Sequence, residues 1–309
     1  MSNKLQSILV LVGLIVAIII VFLLVFTIRG EERDHDKIII GSKEFTEQLI
    51  LAELLAQLIE AKTELKVERK TGLGGTLICF GALEKGEIDL YPEYTGTGLK
   101  AILKHEENIT DSEEVYELVK KKFMAEYNLE WLKSFGFNNT YALAMRKEHA
   151  DSLGISKISD FLAHSELACG FTAEFNERDD GYPGLVRHYG FRFESDPKDL
   201  DPGLMYKAVK EKEVDVISAF ATDGRIQAYN LKVLDDDKKF FPPYYAAPVV
   251  RSAILEKNSK LGDILNSLAD HIDDVDMSRM NYEVDNDGKS PSQVAKEFLT
   301  REGFLRKKD

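Results

Sequence analysis

From Lys37 to Leu90 the chain alternates short strand-like runs with helical spacing, and this alternation restricts the possible folds more than any other feature. Lys37-Ile38-Ile39-Ile40-Gly41-Ser42 is apolar enough for a buried strand. Thr46, as N-cap with Glu47 in the first turn, then opens a helix in which Leu49, Ala52, Leu55, Ala56 and Ile59 recur at helical spacing. Leu65 to Arg69 predicts a second strand, Thr71-Gly72-Leu73-Gly74-Gly75-Thr76 opens a helix through Leu83, and Gly86 to Leu90 predicts a third strand ended by Pro92. A second α/β series follows, with strands at Leu167 to Phe171 and Val214 to Ala219 and helices near Gly184 to Tyr189 and Gly203 to Lys212. Extended segments near 141 and 246 separate the two series, and prolines keep Phe241 to Val250 out of helix. The pattern predicts two α/β lobes joined by two crossing strands, 37–142 plus 248–309 forming one lobe and 143–247 the other. An acidic-faced helix from Asp111 to Tyr127 and three C-terminal helices, near 259–271, 276–284 and 291–302, complete the expectation.

Ahead of this lies Ile8 to Ile28, an apolar run broken only by Gly13 and Thr27 and long enough to cross the hydrocarbon core of a bilayer. No Ala-x-Ala-like site and no cysteine follow it before Arg29-Gly30-Glu31-Glu32-Arg33. The expectation is an uncleaved, single-pass N-terminal anchor without lipidation, residues 1–36 serving as anchor and linker to an extracytoplasmic domain.

A net charge of −13 argues against nucleic acid as a partner, because phosphate binding requires a clustered basic surface. Cys79 and Cys169 sit far apart in apolar contexts and predict buried free thiols. The six histidines are scattered without metal-ligand spacing and predict solvated surface positions, so no metal site is expected. The glycine-rich stretch at 71–76 suggests an anion cradle at a helix start, but Leu77 stands where Gly-x-Gly-x-x-Gly requires its last glycine. Gly288-Lys289-Ser290 fails as a phosphate loop because Glu283 stands at its first glycine. No nucleophile set is recognisable, and neither a catalytic activity nor a cofactor is expected.

Tyr91-Pro92-Glu93-Tyr94-Thr95-Gly96-Thr97 reads as a ligand-binding turn at the carboxyl end of a strand, where open α/β sheets bind their ligands. Tyr94, Tyr141, Phe220, Tyr244 and Tyr245 all fall at strand ends or on the crossing segments. Rings so placed either converge as a cage for quaternary ammonium, which donates no hydrogen bond and is drawn to π faces, or fill the core.

Five separated motifs resemble, in order and spacing, the substrate-binding subunits of osmoprotectant (glycine betaine, carnitine, choline) ABC importers. They are Gly41-Ser42-Lys43-Glu44-Phe45-Thr46-Glu47-Gln48, Tyr91 to Thr97, Phe137 to Tyr141, Thr222-Asp223-Gly224-Arg225-Ile226 and Phe241 to Pro248. The resemblance implies a two-lobed type II periplasmic-binding-protein fold that serves a separate ABC permease and ATPase. Matched by motif, Tyr94, Tyr141, Phe220 and Tyr244 take aromatic-cage positions, while Lys43, Thr97 and Arg178 take positions that face a ligand carboxylate. Two departures stand out: Phe220 lies where many relatives carry tyrosine, and Arg178 is followed by Asp179 where proline is common. A two-lobed enzyme, or a sensor signalling through the anchor, would share the same alternation.

Overall fold

A computed structural model of the protein describes residues 37–107 and 109–306, and the expected membrane span lies outside them. Two five-stranded sheets organise the described residues. The first has the order β2-β1-β3-β10-β4, from β1 (Lys37–Gly41), β2 (Lys66–Lys70), β3 (Leu90–Tyr94), β4 (Leu129–Trp131) and β10 (Ala246–Arg251). The second has the order β7-β6-β8-β5-β9, from β5 (Tyr141–Arg146), β6 (Cys169–Phe171), β7 (Lys198–Asp199), β8 (Val216–Phe220) and β9 (Leu231–Val233). The chain therefore passes between the sheets twice, after β4 and after β9. The two passages hold each other, with Asn138 bridging Tyr245, the Asn139 amide donating to the Tyr244 carbonyl at 3.1 Å and the Tyr244 amide to Asn138 Oδ1 at 2.7 Å.

Proline does not end the third strand. Gly86 to Asp89 is a turn, and β3 runs through Pro92 with buried neighbours on both sides. Pro92 lies opposite Pro248 in the antiparallel pair with β10. Opposed prolines fit only a pair whose N–H groups point away from each other, because neither has a proton to donate. Beyond Tyr94 the expected turn is a helical turn, Thr95–Thr97, which runs into π-helical Gly98–Ile102.

Helix α1 (Thr46–Lys62) is largely buried, with Ile50, Leu51, Leu54, Leu55, Leu58 and Ile59 at zero exposure, while Glu53, Gln57 and Glu60 form a polar stripe. Its N-cap is Phe45, and the Thr46 hydroxyl instead donates to Asp285 Oδ1 at 2.5 Å. Helix α2 (Thr76–Glu84) follows the glycines, and α3 (Ser112–Tyr127) starts at Asp111, whose carboxylate accepts from the Glu114 amide at 2.8 Å. In the second lobe α4 (Lys147–Leu153) follows β5, while α5 (Ala173–Glu177) and α6 (Tyr182–Tyr189) follow β6. Helix α7 (Leu204–Lys210) precedes β8, and the expected turn at Asp223-Gly224-Arg225 leads into α8 (Arg225–Ala228). Among the described residues four helices rather than three follow β10: α9 (Ser252–Lys257), α10 (Leu261–Asn266), α11 (Asp274–Asp285) and α12 (Pro291–Arg301), the last three packing on α1.

Both cysteines are free and buried, and burial pushes the Cys79 thiol up to about 12. The histidines depart from a purely solvated set. His188 and His271 are exposed, but His105, His149 and His164 are half-buried, and His149 Nδ1 lies 3.2 Å from Asp215.

Candidate ligand-binding site

A cavity of about 510 Å³ lies where the carboxyl ends of β3 and β8 meet the two connecting passages. All seven residues matched by motif, Lys43, Tyr94, Thr97, Tyr141, Arg178, Phe220 and Tyr244, line it. They come from the β1–α1 loop, β3 and the turn after it, β5, the end of α5, β8 and the second passage.

Five rings form a continuous arc along the wall. Tyr94 stands 6.3 Å from Phe45 between ring centroids, Phe45 stacks on Phe220 at 5.4 Å with planes 5° apart, Phe220 is 5.4 Å from Tyr141, and Tyr141 meets Tyr244 edge-on at 5.6 Å. Phe175 and Phe241 support Tyr141 from beside the arc, at 5.0 and 6.2 Å. Phe45 was not among the residues read from the sequence as a cage position, and its only signal there was membership of the Gly41–Gln48 motif. Tyr245 does not line the cavity; its amide donates to Thr95 Oγ1 at 3.0 Å.

Buried carboxylates hold the phenols in place. Tyr94 donates to Glu47 Oε1 at 2.7 Å and Tyr244 to Asp180 Oδ2 at 2.5 Å. Burial raises the hydroxyl pKa values of Tyr94, Tyr141 and Tyr244, with Glu47 and Asp180 adding to the rise at Tyr94 and Tyr244, so the rings stay neutral. Gly96 makes room for this packing, since a Cβ there would lie 2.6 Å from the Tyr244 ring.

The two cations that line the cavity are already paired. Lys43 Nζ lies 2.7 Å from Glu93, which is fully buried and also accepts from the Tyr91 hydroxyl and the Tyr94 amide. Asp180 grips Arg178 at both oxygens, 2.7 and 2.5 Å from Nε and Nη2. Arg178 Nη2 also reaches Thr97 Oγ1 at 3.4 Å. Each cation in addition sits over a ring of the arc, Lys43 Nζ 5.2 Å from the Tyr94 centroid and Arg178 Cζ 5.5 Å from that of Tyr141. Among the described residues no cluster of three or more histidine, cysteine or acidic side chains is placed to hold a metal.

Two α/β lobes joined by two passages, with a ring-lined cleft between them, define a two-lobed small-molecule-binding protein. Residues 36–301 match the family model described as the substrate binding domain of the ABC-type glycine betaine transport system, and the chain belongs to that family. It is 39% identical over 280 residues to the carnitine transport binding protein OpuCC of Listeria monocytogenes, covering 89% of each chain. To the ergothioneine transport permease/ergothioneine binding protein EgtU of Helicobacter pylori it is 40% identical over 273 residues, 88% of this chain but only 48% of that longer protein. Among solved structures, one described as a glycine betaine/carnitine/choline ABC transporter superposes with a TM-score of 0.71 at 34% identity, covering 86% of this chain and 99% of the other. The resemblance read from the five motifs is thus borne out at the level of family and of two-lobed fold.

Proposed function

We propose that the chain captures quaternary ammonium compatible solutes, of the glycine betaine, carnitine and choline kind, outside the cytoplasm and delivers them to an ABC permease and its ATPase. The arc of Tyr94, Phe45, Phe220, Tyr141 and Tyr244 carries this proposal, because five adjoining aromatic rings in one cleft suit a cation that offers no hydrogen bond. Each desolvated ring contributes roughly 0.5 to 2 kcal/mol, enough together for most of the roughly 8 kcal/mol of a micromolar complex. The carboxyl-facing role falls to Lys43, Thr97 and Arg178. Thr97 accepts from Arg178, which leaves its own hydroxyl proton for a ligand oxygen.

Capture would close lobes with boundaries near those read from the sequence, 37–142 plus 248–309 and 143–247. The start of β5 at Tyr141 and of β10 at Ala246 supports boundaries of this kind. Ile8 to Ile28 would tether the protein to the membrane, given its apolar length, and no catalytic activity is proposed.

A calorimetric titration of the full chain with glycine betaine, choline, carnitine and proline betaine tests the ligand class. Saturable heat with at least one of them is expected, with compaction in small-angle scattering. No binding to any of the four overturns the proposal. For the tether, release of a protein whose N-terminus maps near residue 30 would show a cleaved leader instead.

A further inference from the structure

The glycine-rich stretch that fails as a nucleotide loop does receive an anion, and the anion is the protein's own. Glu174, on α5 of the second lobe, reaches across the cleft to the start of α2 in the first, where its Oε1 accepts from the Thr76 amide at 2.5 Å and its Oε2 lies 3.5 Å from the Thr76 hydroxyl. Gly75 leaves the space for it, since a Cβ there would lie 2.4 Å from Glu174 Oε1. The same carboxylate stands 3.7 Å from Arg178 Nη1 and lines the ligand cavity.

This placement matters because the cleft's cations are neutralised without it. Lys43 is paired with Glu93, and Arg178 is gripped at two atoms by Asp180. Glu174 is therefore an additional negative charge at the end of the cleft where Arg178 and Thr97 meet. It also occupies the Thr76 backbone donor at the start of α2.

We propose that Glu174 is a specificity-determining residue: seated between Thr76 and Arg178, it biases the cleft toward quaternary ammonium compounds with a neutral tail and against those that end in a carboxylate. The inference rests on the quaternary ammonium function proposed above. A ligand carboxylate arriving beside Thr97 meets a like charge in a partly desolvated site, whereas a hydroxyl there finds an acceptor. The trimethylammonium group, held by the rings, is common to both ligand types and insensitive to the tail.

The experiment titrates the full chain with choline and with glycine betaine as wild type, Glu174→Gln and Glu174→Asp. Gln keeps the acceptor for the Thr76 amide and removes the charge; Asp keeps the charge and shortens the reach. Glu174→Gln is expected to move the ratio of betaine to choline affinity toward betaine by about tenfold. Glu174→Asp, which only loosens the contact between lobes, should weaken both ligands together and leave the ratio within about twofold. An unchanged ratio in Glu174→Gln, or equal ratio shifts in both variants, overturns the assignment. Should Glu174→Gln fold poorly, Glu174→Ala serves as the second neutral variant, with the same two outcomes deciding. If neither ligand binds any form, the fault lies with the proposed ligand class and not with Glu174.

Discussion

Glu47 Oε2 accepts a hydrogen bond from the Thr222 hydroxyl at 2.5 Å, joining α1 of the first lobe to the end of β8 in the second, 175 residues along the chain. The same carboxylate receives the Tyr94 hydroxyl at 2.7 Å, Asn139 Nδ2 at 2.8 Å and Asn281 Nδ2 at 3.1 Å. One buried acid thus ties a ring of the arc, a connecting passage, the second lobe and a C-terminal helix together.

Glu47→Ala would leave these four donors buried without their acceptor. The expected loss is roughly 3 kcal/mol of unfolding free energy, measured by chemical denaturation. A change below about 0.5 kcal/mol, the range of ordinary surface substitutions, would show that the network does not hold the lobes together.

The pH dependence of that loss has a definite sign. Burial raises the Glu47 pKa above its usual 4.5, outweighing the donors from Thr222, Tyr94, Asn281 and Asn139 that favour the charged form. For an acid whose folded pKa is raised, the folded state binds the extra proton, so the associated stability is present below 4.5 and is lost as pH rises through the folded value. The stability difference between wild type and Glu47→Ala should therefore shrink as pH rises from 4.5 toward neutrality. Growth of the difference over that range would place the folded pKa below 4.5 instead.

Phe45 is the ring that links Tyr94 to Phe220, and its truncation opens a gap in the arc. Phe45→Ala should weaken choline and glycine betaine alike, by about 1 to 2 kcal/mol, because the loss falls on the trimethylammonium end that both share. Selective loss of one ligand in a paired titration would place Phe45 at the tail of the ligand.

Gly96 tests the packing behind the arc. A methyl group there would meet the Tyr244 ring at 2.6 Å and the Pro243 carbonyl at 2.9 Å, and the backbone neighbour has little room to yield. Gly96→Ala should displace Tyr244, break its hydrogen bond to Asp180 and lower affinity for quaternary ammonium ligands by about tenfold, while costing about 1 to 3 kcal/mol of stability. Wild-type affinity in the variant would mean that Tyr244 is not held by this contact.

Thr97→Asp introduces an acid beside Arg178, which already carries Asp180. Repulsion then falls on a ligand carboxylate, whereas choline's hydroxyl gains an acceptor, so glycine betaine should lose far more affinity than choline. Equal losses for both ligands would remove Thr97 from the tail-facing set and leave the rings untouched.

Much of the architecture was already legible in the sequence because it depends on local pattern. Strand periodicity at 37–41, the apolar residues of α1, glycines before α2 and tyrosines near strand ends are all properties of short stretches, and they implied two α/β lobes while leaving the rings to converge or to fill the core. Local rules failed where a distant strand changed their meaning: Pro92 remains within β3 because Pro248 lies opposite it, and the register of two strands far apart in sequence decides that. The same holds in the cleft. That Lys43 and Arg178 are neutralised, that Phe45 completes the arc and that Glu174 fills the helix start at Thr76 depend on how side chains from separate elements meet. Residue identity determined which chemistry was present in this protein; the pairing of sheets and the approach of the lobes decided which charges cancel and which face the cavity, because electrostatic interactions and hydrogen bonds depend on distances that sequence separation does not encode.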